Sequence, residues 1–272
     1  MSSALNLPLL IEPAALHARL ADPALLIVDL CDPARYAAGH IPGAVALDYA
    51  DLVRAAPPAM GLLPTEAHLS NVLSRIGLTA ERPVVAYDNQ GGGRAARLLW
   101  TLTALGHPSA ALLNGGLDAW SASGGPLDRQ SQRPARSAYV ARFLNPAVIA
   151  DRDDVLKRLG QPQVALLDVR TPAEYAGLDV RAARGGHIPG AVNLDWTAAM
   201  DAQRRFQPDA VLRELFEARG VTPDKEVIVY CQTHHRSAHT YWVLRYLGYP
   251  TVRGYAGSWS DWGNHPDLPI EA

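Results

Sequence analysis

The stretch Gly-His-Ile-Pro-Gly-Ala-Val occurs twice in this chain, at residues 39–45 and at residues 186–192. The likeness extends towards the N-terminus, where Leu26–Tyr36 aligns with Ala165–Tyr175. Each of these segments is an apolar run that passes through an aspartate and leads to a tyrosine. A repeat of about 140 residues is too long for a solenoid unit, which has roughly 20 to 50 residues. The sequence therefore predicts a duplicated domain.

Each half of the chain alternates short β-branched runs with segments of helical character. This alternation is typical of α/β domains in which helices flank a mainly parallel sheet. We predict two tandem domains of this kind, at residues 1–127 and 147–272. A segment rich in Arg, Ser, Gln and Pro, with little apolar periodicity, is predicted as the linker at residues 128–146.

Two helices are predicted from their ends as well as from their periodicity. Thr65–Gly77 and Asp209–Gly220 each begin with a residue type that caps helix N-termini. Each ends with glycine, which readily adopts the left-handed conformation that follows a helix. We therefore expect the Thr65 and Asp209 side chains to accept hydrogen bonds from the first N–H groups of these helices.

The composition is that of a soluble globular protein, with 48% hydrophobic and 19% charged residues. A net charge of -2 gives no general attraction to nucleic acid or to anionic membranes. No apolar run reaches the length of a membrane span. Residues 1–10 carry no basic group ahead of their apolar stretch, which makes a signal peptide unexpected. Two cysteines form no disulfide framework, so we expect a cytoplasmic protein. We also expect a monomer.

Cys231 follows the apolar run Val227–Tyr230 and opens the loop Cys-Gln-Thr-His-His-Arg, after which Ala238–Leu247 has helical character. The thiol is thus predicted at a strand-to-helix turn. Backbone N–H groups and the helix N-terminus favour negative charge there. A cysteine in this position is expected to be a thiolate and a nucleophile.

The duplicated pattern Asp-x-Arg, Glu-Tyr and Gly-His-Ile-Pro-Gly-Ala, followed by a cysteine after the next strand, resembles the rhodanese family of tandem-domain sulfurtransferases. The resemblance extends from about Leu26 to Trp262, and the active loop looks like that of bacterial thiosulfate:cyanide sulfurtransferases. It implies a catalytically silent first domain, and Asp88 does stand where Cys231 stands in the second. It also implies sulfur transfer through a Cys231 persulfide, without any other cofactor.

Loop length separates this family from a related chemistry. Protein tyrosine phosphatases and their relatives use Cys-x5-Arg, whereas four residues separate Cys231 from Arg236 here. The shorter loop suits a single transferred sulfur and disfavours phosphatase or arsenate reductase activity.

The predicted site contains one catalytic residue, Cys231, and a set of substrate-binding residues. These comprise the rest of the active loop and two residues outside it: Gln232, Thr233, His234, His235, Arg236, Arg184 and Trp196. Which histidine contacts the anion stays open. The spacing of Cys231 and His234 would suit zinc, but partner ligands are missing, so no metal is predicted.

Other conspicuous residues are interpreted as structural. Cys31 aligns with Arg170 and not with Cys231, so a buried structural thiol is expected. Asp168 and Arg170 are expected to form an internal ion pair. His187 lies in the repeated turn, which favours a structural role over that of a catalytic base.

One departure from the family pattern bears on the sulfur donor. Some relatives carry a substrate arginine where this chain has Glu174, and the mercaptopyruvate loop Cys-Gly-Ser-Gly is absent. Thiosulfate is therefore the expected donor, and cyanide or a thiol the acceptor. Mercaptopyruvate sulfurtransfer and persulfide delivery to a protein acceptor are the alternatives. Since Glu174 cannot bind an anion, replacing it by arginine is expected to leave thiosulfate use intact.

Overall fold

The computed structural model describes residues 7–272. The first six residues, on which the signal-peptide expectation and the start of the first predicted domain fall, lie outside the described part. The strands in chain order are β1 (Leu10–Ile11), β2 (Leu26–Asp29), β3 (Val45–Ala46), β4 (Arg54–Ala56), β5 (Ala59–Leu62), β6 (Val84–Tyr87), β7 (Ala110–Leu113), β8 (Ile149–Ala150), β9 (Val164–Asp168), β10 (Val192–Asn193), β11 (Glu226–Tyr230) and β12 (Val252–Tyr255).

The helices in chain order are α1 (Pro13–His17), α2 (Pro33–Ala38), α3 (Glu66–Arg75), α4 (Gly93–Ala104), α5 (Gly116–Ala122), α6 (Arg152–Arg158), α7 (Pro172–Tyr175), α8 (Asp209–Glu217), α9 (Arg236–Tyr246) and α10 (Ser258–Trp262). Short 3-10 helices lie at Tyr49–Leu52, Pro146–Val148 and Trp196–Ala199. In the described part of the chain, no helix is long and apolar enough to cross a membrane.

The chain forms two compact units. Within the described residues, unit 1 contains the chain up to Leu52, Pro64–Asn145 and Ala202–Phe206. Unit 2 contains Val53–Leu63, Pro146–Asp201 and Gln207–Ala272. Each unit thus includes a short segment from the opposite half of the chain. Residues 128–145, predicted as linker, belong to unit 1, where the Ser137 N–H donates to Ser74 O at 3.0 Å.

Each unit contains a five-stranded parallel sheet. The strand order is β1-β7-β6-β2-β3 in unit 1 and β10-β9-β11-β12-β8 in unit 2. The antiparallel hairpin β4-β5 belongs to unit 2. The predicted α/β fold with mainly parallel sheets is confirmed. The central strands β6 and β11 are buried apart from Glu226 at the start of β11, as expected for runs of Val, Ile and Ala.

The repeated heptapeptide has the same anchor in both units. The Ile41 N–H donates to the Tyr87 hydroxyl at 3.1 Å, and the Ile188 N–H donates to the Tyr230 hydroxyl at the same distance. Tyr87 and Tyr230 are the last residues of the central strands β6 and β11. The repeated turn is therefore hydrogen-bonded to the sheet beside the loop that follows each of these strands. A buried hydroxyl with a partner costs far less free energy than one without.

The helix ends agree with the sequence in one case and not in the other. Thr65 caps α3, because its hydroxyl accepts from the His68 N–H at 3.2 Å. The prediction that Asp209 caps α8 is wrong, since the cap position is Pro208 and Asp209 is the first helical residue. Its carboxylate instead accepts from the Tyr246 hydroxyl at 2.9 Å. Proline is compatible with a helix start because its fixed φ suits that position.

Candidate active site

Cys231 lies directly after β11, at the start of the loop that leads into α9, and its side chain is buried. The helix begins at Arg236, two residues earlier than predicted, so Arg236 and Ser237 belong to its first turn. The first turn of a helix presents N–H groups without intrahelical partners. The sequence prediction of a thiol at a strand-to-helix turn is confirmed.

The loop backbone is held from outside by the N-terminal turn of α10. The Trp259 N–H donates to Cys231 O at 2.9 Å, and the Ser260 N–H donates to Gln232 O at 3.0 Å. The Cys231 N–H itself donates to the Ser258 hydroxyl at 3.3 Å. The Gln232 carbonyl is turned away from the sulfur, and the N–H of the same peptide, that of Thr233, bonds to the sulfur, as does the Ser237 N–H.

These contacts set the acidity of the thiol. Burial alone would raise the pKa of Cys231, but the positive charge of Arg236, the Ser237 hydroxyl and the two loop N–H groups outweigh it. The net result is a pKa below the ordinary value of a cysteine. The site therefore stabilises a thiolate in a buried environment, and the thiolate is the nucleophilic form.

A hydrogen-bonded chain links the thiol to a buried histidine. The Ser237 hydroxyl lies 3.4 Å from Cys231 Sγ, and His234 Nδ1 lies 2.7 Å from the same hydroxyl. Because a serine hydroxyl carries one proton, donating it to the sulfur means that the hydroxyl oxygen accepts a hydrogen bond from His234 Nδ1–H. His234 has a φ of 59°, a left-handed conformation that non-glycine residues seldom adopt. His234 therefore supports the serine and the loop turn.

Arg236 forms a bidentate ion pair with Glu174. Its Nη1 and Nη2 donate to the two carboxylate oxygens at 2.7 and 2.8 Å. The carboxylate is completely buried. Burial would raise the pKa of Glu174, but Arg236 and the Thr171 N–H lower it to about 2. The ion pair aims the guanidinium, whose charge also reaches Cys231.

This pairing corrects the expectation for Glu174. Glu174 has a role of its own at this position, because it orients Arg236, the arginine of the active loop. It also completes a capping box on α7, where it accepts from the Thr171 N–H at 3.1 Å. An arginine at position 174 would oppose Arg236 and lose both contacts, so we now expect Glu174→Arg to impair thiosulfate use.

Trp196, His235 and His239 form an aromatic cluster beside the loop. The Trp196 ring meets His235 and His239 edge-on, with centroids 6.1 and 5.2 Å apart. Trp196 and His235 are partly exposed, whereas His239 is buried. Of the two loop histidines, His235 is thus the one with access to solvent. His239, which was not predicted, lies on the inner face of α9 at the same site.

Burial, with a smaller contribution from the nearby His235, lowers the pKa of His239 to about 3. Below about pH 6.5 an unfolded chain binds a proton that the native imidazole excludes. The contribution of His239 to the free energy of unfolding is therefore fully present above pH 6.5. It decreases as the pH falls towards 3, by up to about 1.4 kcal/mol per pH unit. We expect His239→Gln to flatten this dependence in urea unfolding at pH 7, 6 and 5. The exposed His17→Gln variant is the control and should keep the parent slope; an unchanged slope for His239→Gln would contradict the assignment.

The remaining predicted substrate residues divide into two groups. Gln232 and Thr233 lie in the loop, and Gln232 Nε2 donates to Arg181 O at 2.9 Å. Arg184, in contrast, donates to backbone carbonyl oxygens, among them Leu268 O at 2.8 Å and His265 O. Its guanidinium therefore braces the C-terminal segment of unit 2 and is not directed at the loop.

The residues interpreted as structural take that place in the structure. Arg170 and Asp168 form a buried ion pair with an N–O distance of 2.6 Å. His187 stacks on Tyr175, and its Nδ1 lies 2.9 Å from Tyr175 O. Cys31 is buried, and desolvation, aided by the Asp29 carboxylate, raises the pKa of its thiol. Cys31 is thus held neutral.

The corresponding loop of unit 1 surrounds a carboxylate. Asp88 accepts four backbone hydrogen bonds, at 2.8 to 3.0 Å, from the N–H groups of Gln90, Gly92, Arg94 and Ala95. This loop therefore also binds an anion, but the anion is its own side chain. An aspartate cannot carry a sulfane sulfur, so the loop of unit 1 has no nucleophile at the position that corresponds to Cys231.

We expect Asp88→Ala to destabilise the protein by about 3 kcal/mol, because it leaves several buried N–H groups without an acceptor. The measurement is the free energy of unfolding in urea at pH 7. Asp118→Ala, at a half-exposed position of unit 1, is the matched control and should change stability by less than about 0.5 kcal/mol. Equal stability of the two variants would refute the loop-filling role.

Among residues 7–272, no group of three or more His, Cys, Asp or Glu side chains is arranged to hold a metal ion. Besides Ser237 and His239, sequence reasoning missed three residues of α10 that hold the loop, namely Ser258, Trp259 and Ser260. The repeat contained a signal for them, because Gly116 precedes Trp120 by four residues as Ser258 precedes Trp262. In the structure both positions have a left-handed φ, of 57° and 52°. In unit 1 the Leu117 N–H donates to Asp88 O at 3.0 Å, as Trp259 does to Cys231 O.

Known proteins share both the sequence and the fold. A family described as the rhodanese-like domain matches the chain twice, at residues 12–123 and 151–265. A thiosulfate sulfurtransferase from Azotobacter vinelandii is 49% identical over 266 residues, which cover 98% of both chains. One from Pseudomonas aeruginosa is 49% identical over 271 residues, covering 100% of both. The sulfur carrier protein TtuD from Thermus thermophilus is 34% identical over 92% of both chains.

Among solved structures, an anaerobic ergothioneine biosynthesis enzyme from Chlorobium limicola matches with a TM-score of 0.89. It is 23% identical, and the match covers 100% of this chain and 72% of that one. At this identity the likeness shows the fold alone.

Proposed function

Because this chain belongs to the rhodanese family, we propose that it is a sulfurtransferase that takes the sulfane sulfur of thiosulfate onto Cys231 and passes it to cyanide or a thiol. The single observation that carries the proposal is the environment of Cys231. A buried thiol with a lowered pKa lies among inward N–H groups and an arginine. The names of the two relatives at 49% identity support thiosulfate as the donor.

The first half-reaction loads the enzyme. The Cys231 thiolate attacks the outer sulfur of thiosulfate, a new S–S bond forms, and the S–S bond of thiosulfate breaks. Sulfite leaves with the electron pair, and the enzyme keeps an anionic persulfide. No proton has to move in this step. Preorganised N–H donors of the loop can stabilise the persulfide charge, because they bonded to the thiolate before it.

The second half-reaction restores the thiolate. Cyanide attacks the outer persulfide sulfur, the S–S bond of the persulfide breaks, and thiocyanate leaves while the electron pair returns to Cys231. A thiolate acceptor would follow the same course and become the persulfide itself. The covalent persulfide is thus the only carrier group that the proposed cycle uses.

Recognition of the anion is proposed to fall on Arg236, the backbone N–H groups and the loop side chains. Arg236 is fixed in direction by Glu174. His235 and Trp196 are the partly exposed members of the aromatic cluster, which favours them as the substrate-facing pair. His234 is buried against Ser237, which favours a supporting role. Arg184 is left out, because its donors serve backbone carbonyl groups.

Delivery of the sulfur to a protein acceptor is a second candidate function. It is favoured by the 34% identity to a protein named as a sulfur carrier in Thermus thermophilus. The persulfide chemistry would be the same, and only the acceptor thiol would differ. A cytoplasmic location and a monomeric state stay predictions from the sequence.

Intact-protein mass spectrometry tests the proposal directly. Incubation with thiosulfate should add the mass of one sulfur atom to the protein, and peptide mapping should find it on Cys231. Later addition of cyanide should remove this mass and release an equal amount of thiocyanate. A protein that gains no sulfur from thiosulfate would contradict the proposed donor. A sulfur found on Cys31 would contradict the proposed site.

A further inference from the structure

The hairpin Val53–Leu63, formed by β4 and β5, comes from the first half of the chain but belongs to the unit that contains Cys231. In the structure it lies against the outer side of the active loop. Two independent contacts join them, one at Thr233 and one through Ser260.

The first contact is a close approach of two backbones. At Gly61 in β5, a methyl group on Cα would lie 2.2 Å from Thr233 O, 2.6 Å from its carbonyl carbon and 2.8 Å from its Cα. No real Cβ atom can sit that close, and a backbone neighbour cannot rotate away as a flexible side chain could. Glycine is therefore required at position 61 for the loop to keep its present path.

The second contact is a chain of hydrogen bonds. The Met60 N–H donates to the Ser260 hydroxyl at 3.1 Å, and that hydroxyl donates to Gly257 O at 2.8 Å. The Ser260 N–H donates to Gln232 O at 3.0 Å. Ser260 itself is buried. The hairpin thus holds the Gln232 peptide through Ser260 and meets the Thr233 peptide directly.

The Gln232–Thr233 peptide contacts the reacting sulfur directly. The outward carbonyl of Gln232 belongs to the peptide whose N–H is that of Thr233, and this N–H bonds to the Cys231 sulfur. Contact from outside with the Gln232 and Thr233 carbonyl groups therefore controls the direction of a donor to the thiolate. Donors that are oriented in advance stabilise charge without the free energy of reorientation.

We propose that the Val53–Leu63 hairpin is a positioning segment of the active site, which holds the loop backbone at residues 232 and 233 so that the Thr233 N–H faces Cys231. The proposal rests on the proposed sulfurtransferase function of that cysteine. The half of the chain without a nucleophile then contributes to the chemistry, through the backbone of Met60 and through Gly61.

The other unit uses its exchanged segment in the same manner. The segment Ala202–Phe206 belongs to unit 1. It comes shortly after the 3-10 helix Trp196–Ala199, just as Val53–Leu63 comes directly after the 3-10 helix Tyr49–Leu52. There Arg204 Nη1 donates to Asn89 O at 2.7 Å, on the residue that follows Asp88. In each unit the loop after the central strand is thus contacted at an outward carbonyl by a segment from the opposite half of the chain.

The test compares Gly61→Ala and Ser260→Ala with the parent. The first pushes on Thr233, and the second removes the acceptor for the Met60 N–H without adding bulk. For each protein, the rate of Cys231 alkylation by iodoacetamide is followed from pH 5 to 10, with peptide mapping to identify the modified thiol. We expect the midpoint of the Gly61→Ala profile to rise by about one pH unit, and kcat/KM for thiosulfate at pH 7 to fall about tenfold. A smaller change in the same direction is expected for Ser260→Ala.

Gly125→Ala is the matched control, because a methyl group there would lie 2.4 Å from the Trp120 ring in unit 1. It should lower the thermal midpoint of unfolding as Gly61→Ala does and leave the alkylation profile unchanged. If Gly61→Ala does not fold, Ser260→Ala carries the test alone. Parent-like alkylation midpoints in every folded hairpin variant would overturn the positioning role while leaving the enzyme a sulfurtransferase. Failure of the parent to take sulfur from thiosulfate would instead overturn the function.

Discussion

Replacing Cys231 by serine is expected to abolish sulfur transfer, and replacing Cys31 by serine is expected to leave most of it. A serine hydroxyl is not ionised near neutral pH and cannot form a persulfide, so the loss at Cys231 should reach the detection limit. Cys31 is buried and has a raised pKa, so it offers no thiolate to the donor. The measurement is thiocyanate formation from thiosulfate and cyanide at pH 8.

The comparison of the two cysteine variants needs evidence that both are folded. Cys231 and Cys31 are both buried free thiols, and serine is close to cysteine in size, so similar costs in stability are expected. Thermal unfolding should show both variants folded at the assay temperature. Turnover by Cys231→Ser above the uncatalysed rate would refute the assignment of the nucleophile. Loss of activity in a folded Cys31→Ser variant would show that unit 1 has a chemical role that its structure does not suggest.

The fold could be predicted because the sequence repeats its own anchors. The duplicated Gly-His-Ile-Pro-Gly turn occurs together with Tyr87 and Tyr230, whose hydroxyl groups accept a hydrogen bond from the isoleucine N–H of the turn. Alternating short apolar runs and helices allow few arrangements besides a parallel α/β sheet. The nucleophile could also be predicted, because the strand, the cysteine and the helix that set its environment are consecutive in the chain.

The role of Glu174 could not be predicted, because its partner is distant in sequence. Glu174 and Arg236 are 62 residues apart and meet only when α7 and α9 lie on the folded sheet. The resemblance to the rhodanese family indicated only that a substrate arginine was missing at this position, and no partner was predicted for Glu174. The structure shows a carboxylate that is buried, paired and part of a helix cap.

The hairpin contact and the α10 turn escaped prediction for a related reason. Gly61 looks like an ordinary glycine in sequence, and only the approach of the Thr233 backbone gives it meaning. Ser258 looks like a surface serine, yet it accepts from the Cys231 N–H in a left-handed conformation. Close backbone approaches leave no pattern in hydrophobicity. The duplicated half held a hint, because glycine stands at position 116, where the second half has Ser258.

Arg236→Ala is expected to lower both activity and stability, for two separable reasons. Loss of a preorganised donor at the reacting anion should reduce kcat/KM for thiosulfate by about 100- to 1000-fold. Loss of the bidentate partner of the buried Glu174 carboxylate leaves only the longer contact to the half-exposed Arg181, at 3.7 Å, and should lower the free energy of unfolding by about 3 kcal/mol. Because the pKa of Glu174 is lowered to about 2 from an ordinary 4.5, the pair contributes fully above about pH 5 and is lost as the pH falls towards 2. Both quantities are therefore measured at pH 7.

The double variant Arg236→Met with Glu174→Gln separates the two effects. It removes both charges and keeps similar volumes, so much of the lost stability should return, as it does when buried ion pairs elsewhere are replaced together. Activity should not return, because the Arg236 guanidinium is then absent from the thiosulfate site. The positive charge that lowers the pKa of Cys231 is also lost. A double variant with the activity of the parent would show that Arg236 serves only to neutralise Glu174. A single Arg236→Ala variant as stable as the parent would show that the pair contributes nothing to the fold, and would leave anion binding as the only reason for arginine at this position.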